Sequence, residues 1–499
     1  MKKWRPSMLR SFRAFHGDER GAVLIWFSIM VVVLVGLVGL AVDGARYLNL
    51  NSNMQEIADA AALAGAKELD GASDSITRAT NAAVNYLNNN PTWSDVAASG
   101  VQIVASGANA PQFFGPGIDT ATTNPKNAAF IKVTTIDRGV TPSFIRAVAS
   151  SATVYTSATA TAKSAFSICK PLQSFMCNPY EATETNPGNA NNWITNVPVG
   201  SMLLLVNGSG SAPGNWGLIA PPNENGNPHN LSPFWAQTAP SSCNAVSPAD
   251  AGSDVDTGNN GKFAQPGMNV RFDNPQASGD QSIAAPVVID GFKSNGKNNY
   301  QCANSVSATP VNGTNTFQQT DANSTAYDNY CNATSGGLPI GSCPLPRDRV
   351  LTNYGGTGGW QPSMIGNGSN TADLDAYWAN HHSGTRPTTL DTRYKIYQAE
   401  VAGTAPFTAA SDAIEPHAPA CSASTVGAAS RRLIEVAIVD CNYWGIRGNS
   451  NSLPATTMVA EFFMTEPADS SGSIYAELVK TQQLNDPNGA VFQIIQLAR

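Results

Sequence analysis

The chain has 499 residues, 42% hydrophobic and only 13% charged, with a formal net charge of −7. A charged share about half of the roughly 25% usual for a globular domain excludes a charge-rich disordered chain and a long coiled coil. A mildly acidic body also excludes a nucleic-acid footprint, which needs a basic face.

Charge changes abruptly along the first fifty residues. Lys2, Lys3, Arg5, Arg10, Arg13 and Arg20 outnumber Asp18 and Glu19, so residues 1–20 carry +4. Gly21 to Val42 (GAVLIWFSIMVVVLVGLVGLAV) carries no charge. At 1.5 Å per residue this run spans about 33 Å, enough for a hydrocarbon core of roughly 30 Å. The basic flank places residues 1–20 in the cytoplasm and the rest outside the cell membrane, by the positive-inside rule. A cleaved signal peptide has an apolar region of only about 7–15 residues, so the reading is a retained single-pass anchor.

The helix is expected to continue past the membrane. Tyr47, Leu50, Met54, Ile57, Ala61 and Ala64 recur at spacings of 3 and 4, an apolar stripe on a helix running to about Leu69. The stripe either packs on its own domain, the preferred reading, or pairs with like helices as a stalk. A second helix is expected over 73–90, with Ser73 or Asp74 as cap and Ile76, Ala79, Ala83 and Leu87 on one face. Strands are expected at Val101 to Ala105, Ala128 to Thr135 and Ala152 to Ala165, and a short helix at Thr141 to Val148. Beyond residue 167 the chain is rich in loops. Strands are read there at Met202 to Val206, Ile283 to Ile289, Tyr394 to Val401, Leu433 to Val439, Thr457 to Met464, Ile474 to Val479 and Ala490 to Leu497. The fold class is therefore α+β. It comprises a basic tail (1–20), a transmembrane helix (21–42), a pilin-like α+β domain with a small antiparallel sheet (43–166) and a large β-rich, disulfide-bonded exported region (167–499).

Glu19 to Leu69 closely resembles the N-terminal segment of TadG-like proteins of the Tad (tight adherence, Flp pilus) machinery. The matching features are Arg20-Gly21 before the span, Val42-Asp43-Gly44-Ala45-Arg46 leaving it, and the run Gln55 to Ala66. Scattered further likeness covers Cys169 to Glu181, Asn215-Trp216-Gly217, Arg271-Phe272-Asp273, Pro346 to Arg349 and Arg431 to Cys441. The resemblance implies an inner-membrane component of pilus assembly facing the periplasm. Its implied partners are the membrane and other pilus-assembly proteins, with homo- and hetero-oligomers both left open. No nucleic acid or small-molecule substrate is implied.

All eight cysteines (Cys169, Cys177, Cys243, Cys302, Cys331, Cys343, Cys421 and Cys441) fall on the exported side, and no C-x-x-C occurs. Disulfides in an oxidising compartment are expected rather than metal ligation. Proximity suggests Cys169–Cys177 and Cys331–Cys343, although eight cysteines allow 105 connectivities.

TadG-like proteins often carry an Asp-x-Ser-x-Ser metal site, and Asp469 to Ser473 spell that string. The position argues against it, because only 26 residues follow Ser473, too few for the α/β domain that supplies the other ligands. These residues read instead as a hairpin turn. Adjacent His381 and His382 lack the i, i+4 geometry of a zinc pair. Gly355 to Trp360 and Gly366 to Gly368 read as turns rather than phosphate loops. Asp373 and Asp375 read as a helix start. No catalytic residue, cofactor or metal is assigned, and the chain is expected not to be an enzyme. Two alternatives stand beside the assembly role. One is an adhesin-like binding ectodomain using Trp216, Trp235, Trp360, Trp378 and Trp444; the other is an anchored periplasmic hydrolase, resting on the size of 167–499 alone.

Overall fold

The computed structural model describes residues 19–86, 103–144, 153–168, 172–205, 216–219, 231–236, 382–406, 429–446, 458–465, 474–484 and 491–498, with shorter pieces between 244 and 289, at 374–375, 378–379, 416–417 and 452–454. The described elements, in chain order, begin with α1 (Glu19–Lys67), α2 (Ser75–Asn85), β1 (Gln112–Phe114), β2 (Phe130–Thr134), β3 (Arg138–Val140), β4 (Val154–Thr156) and β5 (Thr159–Ile168). Then come β6 (Leu172–Cys177), α3 (Asn192–Asn196), β7 (Met202–Leu205), β8 (Trp216–Ile219), α4 (Leu231–Ala236), β9 (Asn244–Val246), β10 (Ser253–Asp256), α5 (Gly261–Asn269) and β11 (Val288–Ile289). The last are α6 (Arg393–Val401), β12 (Pro416–His417), β13 (Leu433–Val439), α7 (Cys441–Trp444), β14 (Ser452–Leu453), β15 (Met458–Met464), β16 (Ile474–Gln483) and β17 (Val491–Leu497).

Two sheets organise the chain. The smaller runs β1-β2-β5-β17, with β9 also on β5, and all its pairs are antiparallel. The larger runs β14-β10-β8-β6-β13-β15-β16-β7, antiparallel except for the β6–β13 pair. The chain passes from the small sheet to the large one between β5 and β6. It touches the small sheet again at β9 and returns finally between β16 and β17, so the C-terminal strand completes the sheet packed on α1. The boundary read near residue 167 falls at the end of β5, one strand of that sheet.

Four cores are found among the described residues, of which the smallest packs Ile396 and Tyr397 of α6 on Phe463 of β15 and the other three follow from the layout of the two sheets. The first holds α1 and α2 against the small sheet: Leu50, Met54, Ile57, Ala61 and Ala66 meet Ala79, Ile131, Val133 and Ala162. Burying each Leu, Met or Ile there contributes about 1.5–3 kcal/mol. Small residues set the spacing, since a Cβ on Gly65 would stand 2.5 Å from Ile131 Cδ1. The second core covers one face of the large sheet with Trp193 of α3, Leu231, Phe234 and Trp235 of α4, and Met268 of α5. The third joins Phe166 and Val491 of the small sheet to Phe175, Val439 and Val459 of the large one.

Five local expectations change. Residues 103–105 are not strand. The run 152–165 divides into β4 and β5, interrupted at 157–158. Tyr394 to Val401, read as a strand, is the helix α6. Its buried residues Arg393, Ile396, Tyr397 and Glu400 are spaced 3, 1 and 3, a helical face. Thr392 caps it by accepting from Lys395 N, and the Glu477 carboxylate accepts from Arg393 N and Tyr394 N at 2.8 and 2.9 Å. The segments 141–144 and Ile283 to Ile289 also differ: 141–144 is not helical, and strand is confined to Val288–Ile289 within the described part of the second.

Candidate functional site

The site takes shape where α1 leaves its apolar segment. From Val23 to Val35 every side chain is exposed, and the most apolar stretch of the helix has a mean hydropathy of 2.9 with 6% of its residues buried. The helix then continues without a break past Gly44, and packing begins. Asp43, the first charge after the span, is 5% exposed. Its two carboxylate oxygens accept from Ser143 N at 3.0 Å and Phe144 N at 2.9 Å. Arg46, one turn later, lies 3.7 Å from Asp43 and donates to Ser143 Oγ at 2.7 Å. A carboxylate with two backbone N–H donors and a guanidinium beside it can be buried where an unpaired one could not. Gly39 completes the clasp, because a Cβ there would stand 2.7 Å from Phe144 Cβ. Asp43 and Arg46 thus hold the 143–144 segment against the helix.

Farther along α1 the stripe residues turn inward. Leu50, Met54, Ile57 and Ala61 are buried, and Tyr47 and Ala64 half-buried, against the chain's own small sheet. The opposite face is exposed at Leu48, Ser52, Gln55 and Glu56. At the far end, Gln493 of β17 donates from Nε2 to Lys67 O at 2.8 Å, satisfying one of the carbonyls a helix end leaves open. Arg78 of α2 binds Glu68 at 2.6 Å, Asp70 at 2.7 Å and Asp74 at 3.0 Å, fixing the α1–α2 turn.

That turn docks on the large sheet. Tyr443 Oη donates to Gly71 O and Trp444 Nε1 to Gly188 O, both at 3.0 Å. Gly71, at φ +83°, lies under the Trp444 ring, where a Cβ would come within 2.6 Å. Beneath the joint, the Asp440 carboxylate accepts from Gly188 N, Ala190 N and Asn178 Nδ2 at 2.6, 3.0 and 2.8 Å. Glu181 accepts from Asn442 N at 2.9 Å and from Tyr443 N. Burial, with Asp440 nearby, pushes the Glu184 carboxyl up to about 8.

Of the cysteines, Cys177 and Cys441 are bonded, with Cα atoms 5.3 Å apart. This corrects the Cys169–Cys177 pairing. Parallel neighbours β6 and β13 set Cys177 beside Val439, two residues before Cys441, so the bond closes the end of one strand pair. Removing such a bridge typically costs about 2–5 kcal/mol. Cys169, Cys243, Cys302, Cys331, Cys343 and Cys421 lie outside the described residues, as do His381, Asp373, Trp360 and the Asp469 to Ser473 string. His382 is buried, its ring nitrogens 3.0 Å from Glu400 Oε1 and 3.1 Å from Pro406 O. Asp375 is exposed and binds Arg386 at 2.7 Å. Trp216, Trp235 and Trp378 are buried and Trp444 is half-buried at the joint, so these four form no exposed aromatic platform. The Asp43 clasp, the Gln493 cap and the Asp440 node were not read from sequence. The Val42 to Arg46 motif was the only available signal, and it marks the clasp without naming its partner.

Residues 21–68 match the family Tad, described as Putative Flp pilus-assembly TadE/G-like. The match spans the apolar segment, the clasp residues and the packed half of α1. It supports involvement in Flp pilus assembly, and the apolar helix is consistent with a single-pass membrane anchor. Neither a curated protein nor a solved structure matches the chain.

Proposed function

We propose that this protein is a single-pass, membrane-anchored component of Flp pilus assembly. In this reading residues 1–20 are cytoplasmic, 43–499 lie on the periplasmic side, and the protein works through protein contacts rather than catalysis. The observation that carries the proposal is the two-part helix α1. One half is apolar and unpacked; the other is locked onto the chain's own sheet within the TadE/G-like segment. A helix that is apolar all round needs an apolar surround, and the +4 flank gives its direction. The Cys177–Cys441 bond suits an oxidising compartment. Because the stripe is used internally, the proposed contacts with other assembly proteins fall to the exposed face of α1 and to the outer sheet. The test is a pair of reporters fused after residue 70. A periplasm-active reporter is expected to be active and a cytoplasm-active one silent, and the reverse pattern overturns the orientation.

A further inference from the structure

We propose that the β3–β4 ribbon is a second membrane contact. In this reading Phe144 is seated at the headgroup–acyl boundary beside α1, with Val154 and Tyr155 in the headgroup layer above it. The inference rests on the anchored reading above and adds a site to it.

The ribbon descends along the helix toward the apolar segment. At its upper end Thr156 Oγ1 donates to Asn51 Oδ1 at 2.8 Å, and Asn51 stands about 13 Å beyond Val42 at 1.5 Å per residue. Arg138 pairs with Thr156, Gly139 with Tyr155 and Val140 with Val154, so the later ladder positions lie nearer the span. Six residues after Arg138, Phe144 packs on Gly39, about 4–5 Å inside the end of the apolar run. At about 3.3 Å per residue those six residues cover roughly 20 Å, matching the distance along the helix from Asn51 to Gly39. The segment that continues β3 therefore reaches the depth at which the span ends, while Val154 and Tyr155 stand roughly 7 and 10 Å outside it, at the level of the headgroups.

Its side chains fit that depth. Phe144 is 47% exposed, Val154 45% and Tyr155 64%. In water such a group of apolar surface is unfavourable, whereas a headgroup layer accepts aromatic rings with a polar tip. The covering surface is continuous with that around the unpacked helix. The Asp43 carboxylate anchors the segment by its hydrogen bonds to Ser143 N and Phe144 N, and Arg46 stands where a basic group meets lipid phosphate. One helix alone leaves a domain free to tilt and turn. A second contact at the same surface would fix which face of α1 is presented to assembly partners.

The test uses the full chain in vesicles of phosphatidylethanolamine and phosphatidylglycerol doped with an acyl-chain diazirine lipid, with labels mapped by peptide mass spectrometry. Labelling is expected in the span, at Phe144 and at Val154–Tyr155, but not at Ile194 or Val199, which are exposed apolar residues of the outer part. Asp43→Asn is expected to reduce Phe144 labelling several-fold while span labelling persists. Labelling of the span without Phe144 or Val154–Tyr155 overturns this proposal and leaves the anchor standing. Absence of label in the span overturns both. Equal labelling of Ile194 and Val199 shows unspecific reagent contact and also overturns it.

Discussion

Glu184 and Asp440 illustrate how the joint stores charge. Asn178 Nδ2 reaches both carboxyls, at 3.4 Å to Glu184 and 2.8 Å to Asp440. Asp440 holds three donors, two of them backbone N–H groups, and is the natural home of the negative charge. Glu184 is left burying a carboxyl beside that charge, so its proton is retained up to about pH 8 instead of the ordinary 4.5. The native state therefore binds more protons than the unfolded chain between these values. Stability from this group is full below about 4.5, falls as pH rises, and is lost above about 8. Burial raises Glu181 and Glu477 in the same direction. The expected outcome is that Glu184→Gln gains in urea midpoint relative to the native protein as pH goes from 5 to 8. Tryptophan fluorescence would follow it, and parallel pH curves for the two proteins would contradict the assignment.

At the scale of elements, the two faces of α1 carry different jobs. Ala61 lies in the core and Met54 is wholly buried, so Ala61→Asp or Met54→Asp places an unpaired charge in an apolar contact. Core disruptions of this kind cost several kcal/mol, on the order of 3–5. These variants are expected to lose protease resistance in the membrane-proximal part, and pili with it. Ser52→Arg and Glu56→Arg alter only the exposed face. Under the assembly proposal they should reduce surface pili while the protein stays folded and in the membrane. Normal piliation in both exposed-face variants would move the contacts elsewhere. Charged-core variants that remain protease-resistant would contradict the packing of α1 on its sheet.

For the whole molecule, the decisive feature is that the chain comes back from the large sheet to the small one for its last strand. β17 hydrogen-bonds along β5 over seven residue pairs, buries Val491 and brings Gln493 to the end of α1. A chain truncated after residue 489 thus removes a strand from the sheet packed on α1, though it deletes the part of the sequence farthest from that helix. The expected result is faster proteolysis within 103–168, not merely a shorter product. Native resistance there after truncation would show that β17 is dispensable to that sheet.

Local chemistry made part of this legible. The uncharged run 21–42 and the spacing of Leu50, Met54, Ile57 and Ala61 are patterns within a few turns of helix, and the structure exposes the first and buries those four side chains. β2, β13, β15 and β17 could be read from short apolar or alternating runs for the same reason. What neighbouring residues do not encode fell to tertiary structure. Tyr394 to Val401 carries apolar residues compatible with either period, and Glu477, more than 80 residues away, supplies the acceptor for the first turn of a helix there. The cysteine pairing followed the parallel alignment of β6 with β13 across a separation of 264 residues, against the nearer candidate in sequence. Trp216 and Trp235 look like a binding surface in a loop-rich sequence, yet they fill the core under α4 because large apolar rings gain most when removed from water. The sequence by itself determined the apolar segment, its packed extension and the strands β2, β7, β13, β15, β16 and β17, since each depends on local period. Which elements share a sheet, which cysteines meet and which aromatics are covered were decided only by contacts between distant parts of the chain.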